Sequence, residues 1–440
     1  MVSRAGKFKK NRKKFKKHKK VAHFPGLEPL FMYNAVGTRY LSRRKKQNRM
    51  RYDSIEQLAP WCALNKIFGF NPALGLRLAE HFGGAREVFR ADKDELALTL
   101  KPNSIYWPKI NRDSVAEAGL ELQKLEKDNC RFLCIADERY PEILRDCHDA
   151  PAGLYIKSST PPEEVFNKRT AIGVIGTRDI TSYGTEWCTK IVAAFSRAET
   201  KPMIVSGLAL GTDITAHNAA LGNGLPTIAV LPTGIDTVYP FRHGWAADKI
   251  ADSPGSALVT DYPPGTVPKA INFLRRNRII AGLSESVILI ESRTKGGGLM
   301  TCRLAYSYNR GVFALPGRID DTCSGGCNSL IREKMAEPVI DIDTLVSELG
   351  LGHAAAAGIT DIRTYTFRRY LHETGYTTAT ALATIAETIR KNRDMTDEDI
   401  SALTGIDYGD VVELTGRLAC DGIITSGLLG NYTIDPAILS

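Results

Sequence analysis

No apolar run in the 440 residues reaches membrane-spanning length, and no export leader follows Met1. A cytoplasmic protein without membrane attachment is therefore expected, with its nine cysteines as reduced thiols. The two C-x-x-x-C pairs, Cys130/Cys134 and Cys323/Cys327, lack the two-residue spacing usual for zinc. The turn after the first strongly apolar strand lacks G-x-G-x-x-G, and G-x-x-x-x-G-K-[ST] occurs nowhere. A dinucleotide or ATP site is disfavoured, and no cofactor is expected. One further absence is local. From Gly265 to Ser284 there is no acidic residue, while Lys269, Arg275, Arg276 and Arg278 supply four cations.

The formal charge of +9 comes from one end of the chain. Residues 1–49 hold 17 Lys and Arg against Glu28 alone, which leaves 41 bases and 48 acids beyond them. The remainder is mildly acidic, so overall charge says nothing about a nucleic-acid partner, and only a local basic patch could. The stretch "KFKKNRKKFKKHKK" is low in complexity and has too little apolar content to order by burial. It reads either as a disordered arm that grips phosphates or as an extension ahead of a true start at Met50. The second reading is preferred, because the periodic apolar pattern begins only after Met50.

From Asp53 to about Leu125, apolar residues recur three and four apart, as in Leu64, Ile67 and Phe68 and then Leu74, Leu78 and Phe82. Such spacing predicts helices, with Gly83-Gly84 as a stop and restart. The pattern then changes to short β-prone runs near Arg131, with a joint at Pro161-Pro162. Beyond it, "TAIGVIGTR", "MIVSG", "PTIAVLPTG", "ALVTDYPPG", "SVILIESR" and "VFALPG" read as strands separated by helices. Nearly continuous apolar strands alternating with helices predict an α/β fold: a parallel sheet covered by helices on both faces.

Ligands of such sheets bind at the carboxyl ends of the strands. There the sequence places Gly176, Thr177 and Arg178, then Ser206 and Gly207, and finally Lys295 and Gly296 at the start of a helix. Glycines at helix N-termini expose amides to an anion, and the helix dipole favours negative charge. With Lys269, Arg275, Arg276 and Arg278, these residues form a candidate phosphate-seeking rim, of which at least one arginine is expected to be structural. Asp213 and His217 are four apart on a helical face, but with no third partner they read as a turn or helix-start group and a packed imidazole.

Seven segments then carry a resemblance: "VIGTRDITSYG", "IVSGLALGTDITAH", "TIAVLPTGIDTVYP", "DYPPGTVPKAINFLRRNRIIAGLSESVILIES", "KGGGLMTCRLA", "ALPG" and "SGGCNSLIRE". In order and spacing they resemble the DprA family of DNA-processing proteins, also called Smf. The likeness runs over about residues 53–440 and is most specific through 170–335. It implies a helical, sterile-alpha-motif-like domain (50–130), an extended Rossmann-like DNA-binding domain (131–349), a linker (350–365) and a winged-helix-like domain (366–440). It further implies single-stranded DNA as ligand, the RecA recombinase as partner, and a homodimer formed through the Rossmann-like domain. By matching position, Arg178 would contact phosphate, Phe273 would stack on a base, and the "RNRIIAGL" segment would bring Arg276, Asn277 and Arg278. Lys295-Gly296-Gly297-Gly298 departs from the family, which more often has a Ser-Gly-Ser run there.

The alternative is a nucleotide-processing enzyme of the lysine-decarboxylase-like group, whose P-G-G-x-G-T-x-x-E motif carries a catalytic glutamate. The nearest stretch, "KGGGLMTCR", has no acid at that place, which favours a protein that is not an enzyme. A plain interaction scaffold is a third reading. In the tail, residues 366–440 carry 6 Lys and Arg against 11 Asp and Glu, and Leu403, Val411, Val412, Leu414 and Leu418 are the expected core. This acidity points to protein contact or autoregulation, not to duplex binding.

Overall fold

The computed structural model describes residues 50–435, apart from residue 102 and residues 167–168, 353–360, 393–394 and 428–429. The basic stretch 1–49 and half of the expected linker, residues 353–360, lie outside the described residues. Helices of eight or more residues are numbered here in chain order. The chain begins with α1 (Ile55–Phe68), α2 (Pro72–Phe82) and α3 (Arg112–Lys127). Ser54 caps α1 in a capping box with Gln57, and Gly83 ends α2 in the left-handed conformation, the stop that Gly83-Gly84 predicts.

Nine strands then form one sheet: β1 (Cys130–Cys134), β2 (Gly153–Lys157), β3 (Ala171–Ile175), β4 (Met203–Ser206), β5 (Thr227–Val230), β6 (Ala257–Thr260), β7 (Ser286–Leu289), β8 (Gly311–Ala314) and β9 (Glu337–Pro338). Their order is β1-β2-β6-β5-β4-β3-β7-β8-β9, parallel throughout except where β2 pairs with β1 and β6. The connecting helices are α4 (Ser182–Arg197), α5 (Thr212–Gly222), α6 (Gly244–Asp252), α7 (Ala270–Leu283), α8 (Gly297–Ser307) and α9 (Gly325–Arg332). From β3 the chain steps outward to β6, then returns to place β7 on the other side of β3. Strand order thus reverses between β3 and β7, where an open α/β sheet leaves a crevice at its carboxyl edge.

Alternation along the strands sorts the core into two faces. Ile175, Val205, Val230, Val259, Leu289 and Ala314 point to the face covered by α7, α8 and α9. On the other face, Ile172, Val174, Ile204 and Ile288 meet α4 and α5. Farther along that face, Phe132, Tyr155, Ala229 and Leu258 pack with α6 and the N-terminal helices. The helical segment therefore shares its core with the sheet. Asn65 of α1 donates to the Asp261 carbonyl at 2.8 Å, and Tyr155 donates to Glu121 of α3 at 2.7 Å.

The last part has a core of its own. Helix α10 (Ile362–Lys391), bent where Gly375 takes a φ of 77°, packs with α11 (Asp397–Thr404), α12 (Tyr408–Cys420) and the hairpin of β10 (Ile424–Ser426) and β11 (Tyr432–Ile434). Val411, Leu414 and Leu418 lie inside, as expected. Leu403 and Val412 do not, being 64% and 43% exposed. Val412 follows the buried Val411 by one residue, which turns it about 100° around the helix and off the packed stripe. Because the residues of this core all come from 362–434, a fragment of residues 361–440 should melt in one cooperative transition. A sloping thermal trace without a transition would show that the module depends on the sheet.

Candidate nucleic-acid interface

The crevice edge is assembled from glycines that let chain segments approach closely. A Cβ on Gly176, just after β3, would lie 2.3 Å from Thr212 Oγ1. Thr212 in turn donates its backbone N–H and its hydroxyl to the Thr177 carbonyl, at 3.1 and 3.2 Å. Gly211 has a φ of 73°, and a Cβ there would be 2.4 Å from that same carbonyl, so only glycine fits. On the β7 side, Glu291 is fully buried and accepts from the backbone N–H and hydroxyl of Thr181 at 2.9 and 2.6 Å. This carboxylate is committed to holding the start of α4.

Arg178 projects outward from the turn so fixed. Its guanidinium lies 4.6 Å from the centroid of the Phe273 ring, the distance of a cation–π contact. Phe273 is half-buried on α7 and meets Tyr239 edge to face at 5.6 Å. Lys269, at the N-terminus of α7, is exposed, as is Lys295 next to Gly296 at the N-terminus of α8. Asn277 is partly exposed. Arg178, Phe273 and Tyr239 are thus in direct contact, while Lys269 and Lys295 are free surface cations at helix starts.

The three arginines of α7 behave differently from Arg178. Arg275 lies over the Phe70 ring at 4.0 Å and donates to the Phe70 carbonyl, which clamps α7 to the α1–α2 turn. Arg276 is 3% exposed and donates to the Val230 carbonyl at 2.7 Å. A Cβ on Gly207 would sit 1.7 Å from its Nη1, so Gly207 serves to admit this guanidinium. Burial pushes Arg276 down to about 10, opposed by the nearby Asp213, so it stays charged at neutral pH. Arg278 is 7% exposed, ion-paired with Asp261 and bonded to the Asp149 carbonyl. The structure therefore places Arg276 and Arg278 behind the surface, where the rim reading had them outside. An α-helix turns successive residues through about 100°, so a dense run of arginines cannot all face the same way.

Ser206 and Gly207 are buried as well, and the Ser206 hydroxyl donates to the Val174 carbonyl at 2.6 Å. Asp213 accepts from the Ala209 N–H at 3.3 Å, and burial raises its carboxyl against the pull of Arg276. His217 is fully buried. Thr227 gives its hydroxyl proton to Ile204, so it accepts from His217 Nδ1 at 2.8 Å. Burial, with Arg276 and His243 nearby, pushes this imidazole down to about 3 and keeps it neutral. Asp213 is a helix-start group in the first turn of α5 and His217 a packed ring.

Tyr239, Phe241, Arg242 and Trp245 were missed from sequence, although "YPFRHGW" carries the aromatic and cationic composition that marks such a surface. Among the described residues no group of three or more His, Cys, Asp or Glu is placed to hold a metal, and no helix is long and apolar enough to cross a membrane. The two classes of arginine should separate in stability measurements. Arg278→Met strands Asp261 in the interior and should cost about 3–5 kcal/mol in denaturant unfolding. Arg178→Ala loses only an exposed cation–π contact and should cost less than about 1 kcal/mol. Equal losses would contradict the division.

Comparison with known proteins agrees with this architecture. The profile of the family described as DNA recombination-mediator protein A matches residues 131–350, from β1 to just beyond β9. The Smf protein of Synechocystis is 34% identical over 294 residues, covering 66% of this chain and 72% of that protein. The DNA processing protein DprA of Streptococcus pneumoniae is 39% identical over 199 residues, covering 45% of this chain and 67% of that protein. The X-ray structure of that pneumococcal protein aligns with a TM-score of 0.57 at 30% identity, over 68% of this chain and 99% of its own. On the family match over residues 131–350 and the identity to Smf and DprA proteins, the chain belongs to the DNA recombination-mediator protein A family.

Proposed function

We propose that the rim binds single-stranded DNA and that the protein mediates recombination by presenting such strands to a recombinase of the RecA class. One observation carries the reading. Arg178 is stacked on Phe273 at the point where strand order reverses, so a cation for phosphate and a ring for a base are joined in one unit. Lys269 and the helix start at Lys295-Gly296 extend the positive surface on either side. Every base has a π-face, so such a platform takes any sequence whose bases are unstacked, which favours single strands over duplex.

In this reading the protein binds and does no bond-breaking chemistry. The glycine-rich start of α8 is followed by Leu299-Met300-Thr301-Cys302-Arg303, a run that contains no acid. Glu291 is occupied by Thr181, and Asp213 faces Arg276 from the interior. In the same reading the protein is a homodimer through the Rossmann-like region, α1–α3 form a sterile-alpha-motif-like domain, and α11, α12 and the hairpin form a winged-helix-like one; the family resemblance supports these assignments. The acidic surface of that last module suits a protein partner or the protein's own basic rim.

The rim and the basic stretch 1–49 bind by different physics, which makes them separable. A polycationic segment binds single strands and duplex alike with a steep salt dependence. Protein beginning at Met50 should therefore lose duplex affinity yet keep its preference for single strands. In that background, Arg178→Glu should lower affinity and reduce the salt slope by about 1 unit. Phe273→Ala should cost roughly 1–3 kcal/mol with little change in slope. Should the Met50 protein lose single-strand binding altogether, residues 1–49 carry the function and the rim does not.

A further inference from the structure

The turn between β5 and α6 is an aromatic surface that no packing among the described residues explains. Phe241 is 92% exposed, Trp245 57% and Tyr239 41%, with the exposed Arg242 between them. Phe241 opens a short 3-10 turn (Phe241–His243) that leads directly into α6, whose second residue is Trp245, so the two exposed rings flank one tight turn. Large apolar side chains left in water in a group mark a contact surface, whereas single ones do not. The turn is also held rigidly. His243 is buried and bonds the Leu208 carbonyl through Nδ1 at 2.9 Å, which ties the turn to the loop after β4. Tyr239 touches Phe273 at 5.6 Å, so the aromatic turn is continuous with the Arg178–Phe273 platform.

The geometry points to a second stacking subsite: a single DNA strand leaving Phe273 continues over Tyr239 onto Phe241 and Trp245, with Arg242 positioned for a backbone phosphate. This rests on the single-strand reading of the rim and extends it from one base contact to a path for several nucleotides. Two features favour nucleic acid over a protein occupant. The surface adjoins the rim through a ring–ring contact, and its aromatics alternate with a cation, the pattern that lets bases stack while phosphates are neutralised. Around Phe241 and Trp245 the exposed chain neighbours are the charged Arg242, Asp248 and Lys249, while exposed aliphatics, Ile271 and Leu274, flank Phe273 on α7.

The test uses the full chain and two oligonucleotides of equal charge and length, a thymidine 12-mer and its abasic counterpart, so that residues 1–49 contribute equally to both. Phe241→Ala/Trp245→Ala should reduce the preference for the thymidine strand by about 5- to 150-fold, the range set by one stacked base. Its melting temperature should stay at the parent value, because both side chains are exposed. Thymidine strands should also quench tryptophan emission in the parent, and Trp245→Phe should remove most of that quench while binding persists. Unchanged preference in the double variant, or an undiminished quench in Trp245→Phe, overturns the subsite. If Phe273→Ala lowers the preference while the double variant does not, only the extension fails and the rim reading stands. If the parent shows no preference for bases over abasic backbone, both fail. A double variant that keeps its DNA binding but changes from dimer to monomer assigns the aromatic turn to protein contact and likewise overturns the proposal.

Discussion

The buried ion pair between Arg278 and Asp261 fixes how α7 lies across the carboxyl edge of the sheet. Asp261 directly follows β6, and its carbonyl also receives Asn65 from α1, so strand, arginine helix and N-terminal helices meet at one residue. Arg275 repeats the link one turn earlier by clasping Phe70. A paired charge inside a protein has paid a large desolvation cost, and removing one partner leaves that cost uncompensated. Arg278 thus works as a positioning anchor: with the inner face of α7 held, Phe273 and Lys269 are presented outward at a fixed angle.

The same constraint divides the positive charge of the rim into two layers. Arg276 and Arg278 lie below the surface, each neutralised or hydrogen-bonded from within, and Arg178, Lys269 and Lys295 remain on it. Buried cations still contribute to the local potential, because a low-dielectric interior screens them weakly. A bound phosphate would accordingly meet direct contacts from the outer layer and, from the inner one, the field of Arg276, since Arg278 is offset by Asp261. The glycines complete the arrangement. Gly207 makes room for Arg276, and Gly176 and Gly211 let the turn that carries Arg178 close against α5.

Much of this was legible in the sequence, and for a physical reason. Strands buried on both faces read as unbroken apolar runs, so β3 to β8 were recognisable, as was the glycine-rich edge where they end. The fate of the arginines was not. Their partners lie 17, 46 and 205 residues away, at Asp261, Val230 and Phe70, and counting charge within α7 cannot reveal them. The reading that at least one arginine would be structural was correct in kind but too modest in extent. Tyr239, Phe241 and Trp245 escaped notice because the order of strands, not sequence proximity, brings their turn beside Phe273. In the C-terminal module the spacing of Val411, Leu414 and Leu418 found the packed stripe, while Leu403 and Val412 were included by apolarity alone.

The central claim is that a fixed aromatic and cationic platform holds single-stranded DNA at the strand-order reversal. Photo-crosslinking reads this directly, since an iododeoxyuridine base couples to an aromatic ring only when stacked against it. Full-length protein irradiated with a substituted thymidine strand should give adducts in the peptides that carry Phe273 and Tyr239. Adducts confined to residues 1–49, or to the module spanning 361–440, would contradict the account.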